Sequence, residues 1–165
     1  VDKFLGDCIM IVFGASREDK QHQYHAACCA LLMQELTRRI NQLRSNQGLK
    51  NIEIRIGING GKMLAGLLGS RDRLEYTVVG DAVNLASRLC NEAQGGEIIL
   101  QDSLCESLQA QHALTLNNAK TIKVRGKSEP VTIYDLKAIA QNRTSGNRAM
   151  IEDVLEKAQG SLTPI

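Results

Sequence analysis

The chain has 165 residues, 43% of them hydrophobic, so it can form one domain with a core but is short for two. Its 20 basic and 18 acidic residues leave a net charge of +2, which argues against nucleic-acid binding and against adhesion to an anionic membrane. Aromatic residues make up only 3%, which leaves few rings on which nucleic-acid bases can stack.

Five cysteines stand at positions 8, 28, 29, 90 and 105. Their odd number, with no CxxC pair and no Cys/His cluster, indicates reduced thiols in a cytoplasmic compartment. No apolar segment approaches membrane-spanning length, and no signal peptide is evident. Because the chain begins with Val-Asp-Lys, we expect it to be part of a longer protein, which is either free in the cytoplasm or anchored in a membrane.

The first predicted strand is the apolar, β-branched run at residues 8–13, which follows Gly6-Asp7. Asp7 therefore lies at the mouth of a predicted buried strand, where an unpaired carboxylate is costly and needs a partner. The ordinary alternative is an aspartate that caps a turn after glycine. Apolar and small residues at spacings of three and four then predict a long amphipathic helix over residues 21–45.

Two strands around a glycine turn are predicted next. Residues 52–58 alternate between apolar and other residues, which is typical of a half-buried strand. Gly60-Gly61 predicts a tight turn, after which residues 62–68 return as a second strand. A glycine-rich turn of this kind can cradle phosphate, but a simple hairpin is the commoner explanation.

A strand-to-helix transition follows, in which residues 76–79 are β-rich and Gly80-Asp81 begins a helical period. Asp81 is the candidate N-cap, because its carboxylate can accept the free backbone N–H groups of the first turn. Asn84 and Arg88 stand four residues apart and share one helix face. An amide and a guanidinium placed there can hold an anion such as phosphate, and the alternative is a solvated face.

The remaining elements complete an α+β pattern. The central helix is predicted over residues 81–94 and ended by Gly95-Gly96. Further elements are a strand at 97–100, a helix at 101–109, strands at 121–124 and 131–136, and a short helix at 149–158. This order predicts a mixed sheet with helices packed on it. We assign residues 1–139 to one domain and residues 140–165 to a C-terminal linker and short helix.

Three motifs resemble, in the right order, the catalytic domain of class III nucleotidyl cyclases. The most specific is the signature Glu75-Tyr-Thr-Val-Val-Gly-Asp-Ala-Val-Asn-Leu-Ala-Ser-Arg88. Residues 1–14 resemble the segment with a metal-binding aspartate, and residues 54–69 resemble the glycine-rich strand–turn–strand that precedes the signature. The resemblance runs from residue 1 to about residue 137 and implies a ferredoxin-like core with additions.

This resemblance implies an adenylyl cyclase that converts ATP into 3′,5′-cyclic AMP and pyrophosphate, by attack of the ribose 3′-oxygen on the α-phosphorus, for intracellular signalling. Two Mg²⁺ or Mn²⁺ ions per site would assist, bound by Asp7 and by a second aspartate expected upstream of Val1. The segment with that aspartate and the first strand is absent, so the chain resembles an N-terminally truncated domain. Asn84 would orient the ribose, and Arg88 would stabilise the charge that builds on the phosphate oxygens.

The resemblance also implies which residues contact the nucleotide. Lys3 and Thr77 would contact the purine, and Arg125, beside Lys127, would bind the triphosphate. A Lys/Thr pair resembles the adenylyl cyclase subgroup that includes bicarbonate-responsive members, whereas a guanylyl cyclase is expected to have Glu in place of Lys3. This pair favours ATP over GTP.

The resemblance also implies active sites that form between two chains, to which one protomer would contribute Lys3, Asp7 and Thr77 and the other Asn84 and Arg88. Because this chain carries both sets, we expect a homodimer with two sites at the interface. An upstream sensor or membrane domain is expected in the parent protein.

Three alternatives remain beside the enzyme. A non-catalytic cyclase-like module would bind nucleotide or only dimerise. A diguanylate cyclase would call for a Gly-Gly-Asp/Glu-Glu-Phe motif, which the sequence lacks. A plain α+β interaction domain would leave three ordered motifs to coincidence.

Overall fold

The computed structural model describes residues 1–15, 18–70, 73–123, 129–140 and 156. The elements within these residues are β1 Lys3–Leu5, β2 Cys8–Met10, α1 His22–Asn46, β3 Ile56–Ile58, β4 Leu64–Ser70, β5 Arg73–Val79, α2 Asp81–Glu92, β6 Ile98–Gln101, α3 Asp102–Gln109, β7 Leu114–Ile122 and β8 Val131–Ile139. Of the helices in this part of the chain, none combines the length and apolar character that a membrane span requires.

The central sheet has four strands in the order β3-β6-β8-β7. β3 and β6 run parallel, whereas β8 pairs antiparallel with both β6 and β7. The parallel pair is connected through β4, β5 and α2, because parallel neighbours need a long crossover. The sheet is therefore mixed, and the predicted α+β class is confirmed.

Helices cover both faces of this sheet. On β6, Ile98 and Leu100 point to one face and Ile99 points to the other, as the alternation of a strand requires. The first core contains residues of α1, α3, β6 and β8: Ala27, Ala30, Ile98, Leu100, Leu104, Cys105, Leu108, Leu136 and Ile139. The second contains residues of α2, its C-cap, β6 and β8: Leu85, Leu89, Ala93, Ile99, Val131 and Ile133. Two stacked cores thus fix α2 on the face opposite α1 and α3.

Asp135 is the charged residue that this sheet buries completely, with 0% of its surface exposed. Its Oδ1 accepts a hydrogen bond of 3.1 Å from the backbone N–H of Ile98, and its Oδ2 forms an ion pair with the ammonium of Lys137. A buried carboxylate requires such partners, because it has left water. The contact ties β8 to the first residue of β6.

Two further strand pairs lie outside the central sheet: β1 with β2 and β4 with β5, both antiparallel. The predicted hairpin of residues 52–58 and 62–68 is wrong, because β3 pairs with β6 and β4 pairs with β5. The predicted buried strand at residues 8–13 is also wrong. The observed strand, β2, ends at Met10 and pairs with β1. Two of its three residues, Cys8 and Ile9, are exposed.

Two predicted helix boundaries also need correction. Asp81 is the first helical residue and not the N-cap, which is Gly80 at φ 156° and ψ 168°. That backbone conformation is essentially restricted to glycine, so the cap falls at Gly80. At the other end, α2 stops at Glu92 because Ala93 is already extended, and Gly95-Gly96 form a later turn.

The long helix over residues 21–45 and the short helix over 101–109 are confirmed as α1 and α3. The strands predicted to begin at residues 121 and 131 are confirmed as parts of β7 and β8, which pair antiparallel, although β7 begins seven residues earlier than predicted. Except for residues 140 and 156, the predicted linker and helix at 140–165 lie outside the described residues, as does Arg125.

Candidate active site

Thr77 and Glu75 share one face of β5, because they are two residues apart in a strand. Thr77 is half-buried, and its hydroxyl donates a hydrogen bond of 3.2 Å to Oδ2 of Asp2. The Lys3 Nζ lies 3.5 Å from the same Asp2 oxygen and 3.9 Å from Oε2 of Glu75. The two residues predicted to contact a purine, Lys3 and Thr77, are thus joined through one carboxylate.

Asp2 is held firmly at the start of β1. Its backbone N–H donates a hydrogen bond of 2.8 Å to the carbonyl oxygen of Met10, which continues the β1–β2 pairing by one residue. Its side chain is only 7% exposed. Neither Asp2 nor Glu75 is among the site residues predicted from the sequence. The strand alternation would have placed Glu75 beside Thr77, but only the packing of β1 against β5 reveals Asp2.

Open space adjoins Thr77 on the neighbouring strand. Gly66 is directly opposite Thr77 in the β4–β5 pair, so a side chain at position 66 would project on the same face as Thr77. A Cβ built on Gly66 would meet nothing within 4 Å. Position 66 therefore leaves room for a ligand beside the Thr77 hydroxyl.

Asp7 lies in the turn between β1 and β2 and is exposed. It therefore does not need the buried partner that the sequence suggested, and its carboxylate is accessible to a ligand. Carboxylate oxygens suit Mg²⁺, which binds one or two carboxylates together with waters and substrate phosphates. Among the described residues no group of three or more His, Cys, Asp or Glu side chains is placed to hold a metal ion by itself. Asp7 can therefore supply only one carboxylate of the ligand set that Mg²⁺ needs.

Asn84 and Arg88 lie one turn apart on α2, with Asn84 exposed and Arg88 half-buried. The first turn of this helix is fixed by the segment after β3. The Asn59 amide donates a hydrogen bond of 3.1 Å to the carbonyl oxygen of Ala82, and a Cβ on Gly61 would lie 2.9 Å from the Ala82 Cβ. The amide and the guanidinium are thus presented from a rigid support.

The predicted site residues fall into two groups on different elements. Lys3 and Thr77 belong to the polar cluster on β1 and β5, whereas Asn84 and Arg88 belong to α2, which packs against β3 and β6. Asn84 takes no part in the hydrogen bonds and ion pairs that the described residues form around Asp2. The roles of all six predicted site residues, including Arg125, stay predictions.

Large apolar side chains are exposed on the two strand pairs that carry Lys3 and Thr77. On β1 and β2 they are Phe4, Leu5 and Ile9, and on β4 and β5 they are Leu64, Leu67, Leu68, Leu74, Tyr76 and Val79. Exposed apolar groups of this extent are typical of an interaction surface.

Comparison with known proteins identifies relatives along most of the chain. The family model described as the adenylate and guanylate cyclase catalytic domain matches residues 3–138. An adenylate cyclase of Anabaena cylindrica is 36% identical over 145 residues, which cover 84% of this chain and 28% of the relative. Adenylate cyclase 1 of Rhizobium meliloti is 30% identical over 151 residues, which cover 89% of this chain and 22% of the relative.

Solved structures give the same result for the fold. The guanylyl cyclase Cya2 superposes with a TM-score of 0.77 at 33% identity, over 87% of this chain and 72% of that one. The adenylyl cyclase CyaB from P. aeruginosa superposes with a TM-score of 0.76 at 32% identity, over 87% of this chain and 74% of that one. The two nucleotide specificities are thus equally represented among these structural neighbours.

Proposed function

Because the chain belongs to the adenylate and guanylate cyclase catalytic-domain family, we propose that it is the catalytic domain of an adenylyl cyclase. The reaction is the conversion of ATP into 3′,5′-cyclic AMP and pyrophosphate. Similarity to neighbours of both specificities does not choose between ATP and GTP. One observation supports ATP: the Lys3 ammonium and the Thr77 hydroxyl meet at the Asp2 carboxylate, beside the open space at Gly66.

The purine edge explains why this arrangement favours adenine. Adenine offers a ring-nitrogen acceptor at N1 beside an amino donor at N6, whereas guanine offers an N1–H donor beside an oxygen acceptor. A lysine ammonium is only a donor, and a threonine hydroxyl can accept. Lys3 therefore complements N1 of adenine, and Thr77 complements its amino group.

The phosphate chemistry is assigned to α2 and to the β1–β2 turn. Arg88 supplies rigid, paired N–H donors to the phosphate oxygens on which charge builds, and Asn84 orients the ribose for in-line attack. Asp7 supplies a carboxylate oxygen to one or both of two Mg²⁺ or Mn²⁺ ions. Such an ion, when bound, favours ionisation of the attacking hydroxyl and neutralises the leaving pyrophosphate. Arg125 is assigned to the triphosphate tail.

The active form in this proposal is a homodimer with two sites at its interface. The apolar residues exposed on β1, β2, β4 and β5 support it, because a second copy would remove this surface from water. Residues 1–139 form the catalytic domain, placed in the cytoplasm of the cell and governed by an upstream sensor or membrane domain. Five free thiols suit a reducing compartment.

The decisive experiment measures cyclic AMP and cyclic GMP made by the full-length protein with Mn²⁺. Arg88→Ala is the test variant, and Arg38→Ala, which removes an exposed arginine on α1, is its matched control. We expect cyclic AMP from the wild type and the control, and a loss on the order of 10²–10³ in kcat for Arg88→Ala. Cyclic GMP as the main product would refute the assignment to ATP. Neither product from a folded dimer would favour a non-catalytic nucleotide-binding or dimerisation module.

A further inference from the structure

We propose that Asp2 determines the choice between adenine and guanine by fixing the direction of the Thr77 hydrogen bond. Asp2 is a positioning residue: it contacts Lys3 and Thr77, and these two contact the base. The inference rests on the proposed function, because it concerns the site assigned there to the purine.

The direction of the contact follows from the chemistry of the two groups. An ionised carboxylate can only accept hydrogen bonds, so the proton in the 3.2 Å contact belongs to the Thr77 hydroxyl. That hydroxyl has a single proton, which it donates in the hydrogen bond to Asp2. The remaining lone pairs of Thr77 Oγ1 can then only accept a hydrogen bond from a ligand, such as the amino group of adenine.

Asp2 is well placed to impose this direction. Its side chain is 7% exposed, and its backbone N–H is bonded to Met10, so the carboxylate cannot easily turn away. The same oxygen lies 3.5 Å from the Lys3 Nζ, which has three protons and keeps at least one for a ligand. Asp2 thus presents Lys3 as a donor and Thr77 as an acceptor, which is the order that adenine needs and guanine reverses.

Replacing Asp2 by asparagine removes this constraint at almost constant shape. An amide both donates and accepts, so the Thr77 hydroxyl can accept from it and turn its own proton toward the carbonyl oxygen of guanine. Lys3 also loses a neighbouring negative charge. We expect the ratio of kcat/KM for ATP to that for GTP to fall about tenfold, the size of one net hydrogen bond.

The experiment measures this ratio in the full-length protein for Asp2→Asn and Asp2→Glu. Asp2→Glu keeps an acceptor-only group and should largely retain the preference. Asp19→Asn is the matched control, since it removes another hydrogen-bonded carboxylate, in the segment just before α1. In a Thr77→Val background, Asp2→Asn should change the ratio less than it does in the wild type, because the hydroxyl that it directs is gone.

An unchanged ratio in folded Asp2→Asn overturns the inference, and so does an equal loss for ATP and GTP, which marks a purely structural role. If Asp2→Asn does not fold, Asp2→Ala frees the same hydroxyl and must lower the ratio. If the wild type makes neither cyclic nucleotide, the proposed function fails. Displacement of a bound fluorescent nucleotide by ATP and by GTP then measures the ratio of the two binding affinities instead. A fall on Asp2→Asn in that assay supports the inference, and no change overturns it.

Discussion

Gly57 of β3 lies against the backbone of α2, so close that a Cβ on it would stand 2.2 Å from the Cys90 nitrogen. The same Cβ would be 2.5 Å from the carbonyl oxygen of Ala86, so the backbone of this helix turn leaves no room for it. The absence of a side chain at Gly57 is thus what seats the helix that carries Asn84 and Arg88.

We therefore expect Gly57→Ala to lower the free energy of unfolding by about 1–3 kcal/mol, because overpacking displaces backbone that cannot move cheaply. Urea denaturation followed by circular dichroism measures this change. Gly66→Ala is the matched control, since its new methyl group meets nothing within 4 Å and should leave the stability unchanged or slightly raised. Equal stability of the two variants would contradict the close packing of α2 on β3.

Local periodicity is enough to predict α1 and most of α2. The apolar spacing that predicts residues 21–45 recurs as α1, and the shared face of Asn84 and Arg88 is preserved on α2. Such patterns depend on neighbours within one or two turns, so a single sequence contains them.

The pairing of strands that lie far apart in the chain is the part that the sequence does not reveal. The alternation at residues 52–58 indicates a strand, but its partner β6 begins at Ile98, and nothing in the alternation names it. Gly60-Gly61 predicts a hairpin because a glycine pair is typical of a tight turn, whichever strands flank it. The glycine at 61 instead lies close to Ala82 at the start of α2. Asp2 is not predicted as a site residue because its contact with Thr77 joins residues that are 75 positions apart in the sequence.

The open space at Gly66 predicts a second effect. Gly66→Val places a branched side chain opposite Thr77, where the ligand is expected, without disturbing the strand, because valine favours β structure. We expect the KM for ATP to rise about tenfold while the melting temperature stays the same or increases. Steady-state kinetics and thermal denaturation of the same preparation measure both. A normal KM in the valine variant would place the base elsewhere.

Mixing variants tests whether the active site is shared between two protomers. Asp7→Asn and Arg88→Ala should each abolish activity alone, since both active sites of each variant homodimer lack the same essential side chain. Random heterodimers contain one intact site, so an equal mixture should recover about a quarter of the wild-type activity. The control mixture of Asp7→Asn with Lys3→Ala damages the same half and should recover none. No recovery by heterodimers that are shown to form would indicate a site within one chain.

Thiol accessibility checks the core. Cys105 is 1% exposed, and burial raises the pKa of its thiol to about 11, whereas Cys8 is exposed on β2. Because the thiolate is the reactive species, iodoacetamide at pH 8 should label Cys8 first and reach Cys105 only after denaturation. Peptide mass spectrometry after timed labelling measures the labelling rates of Cys8 and Cys105. Labelling in urea is the reference, because the two rates should become similar once the protein is unfolded. Fast native labelling of Cys105 would show that α3 does not pack as described.

Acid should weaken the ion-pair cluster on α1. Hydrogen bonds from the guanidinium groups of Arg38 and Arg39 hold the pKa of Glu35 down to about 2 from its usual value of 4.5. A carboxyl group whose pKa is lower in the folded state than in the unfolded state stabilises the fold at pH values above its unfolded-state pKa. This contribution is lost as the pH falls toward its folded-state pKa. Since the cluster is partly exposed, we expect Glu35→Gln to lower the free energy of unfolding by only ~0.5 kcal/mol at pH 7.

That difference between Glu35→Gln and the wild type should shrink steadily below about pH 4.5, where the unfolded carboxylate becomes protonated. Urea denaturation at a series of pH values from 7 to 3 measures it. Arg38→Ala removes the largest cause of the lowered pKa, so in that background the same difference should already be smaller at pH 7. A difference that grows on acidification would mean that Glu35 is stabilised in its protonated form, contrary to the short contacts that Arg38 and Arg39 make with it.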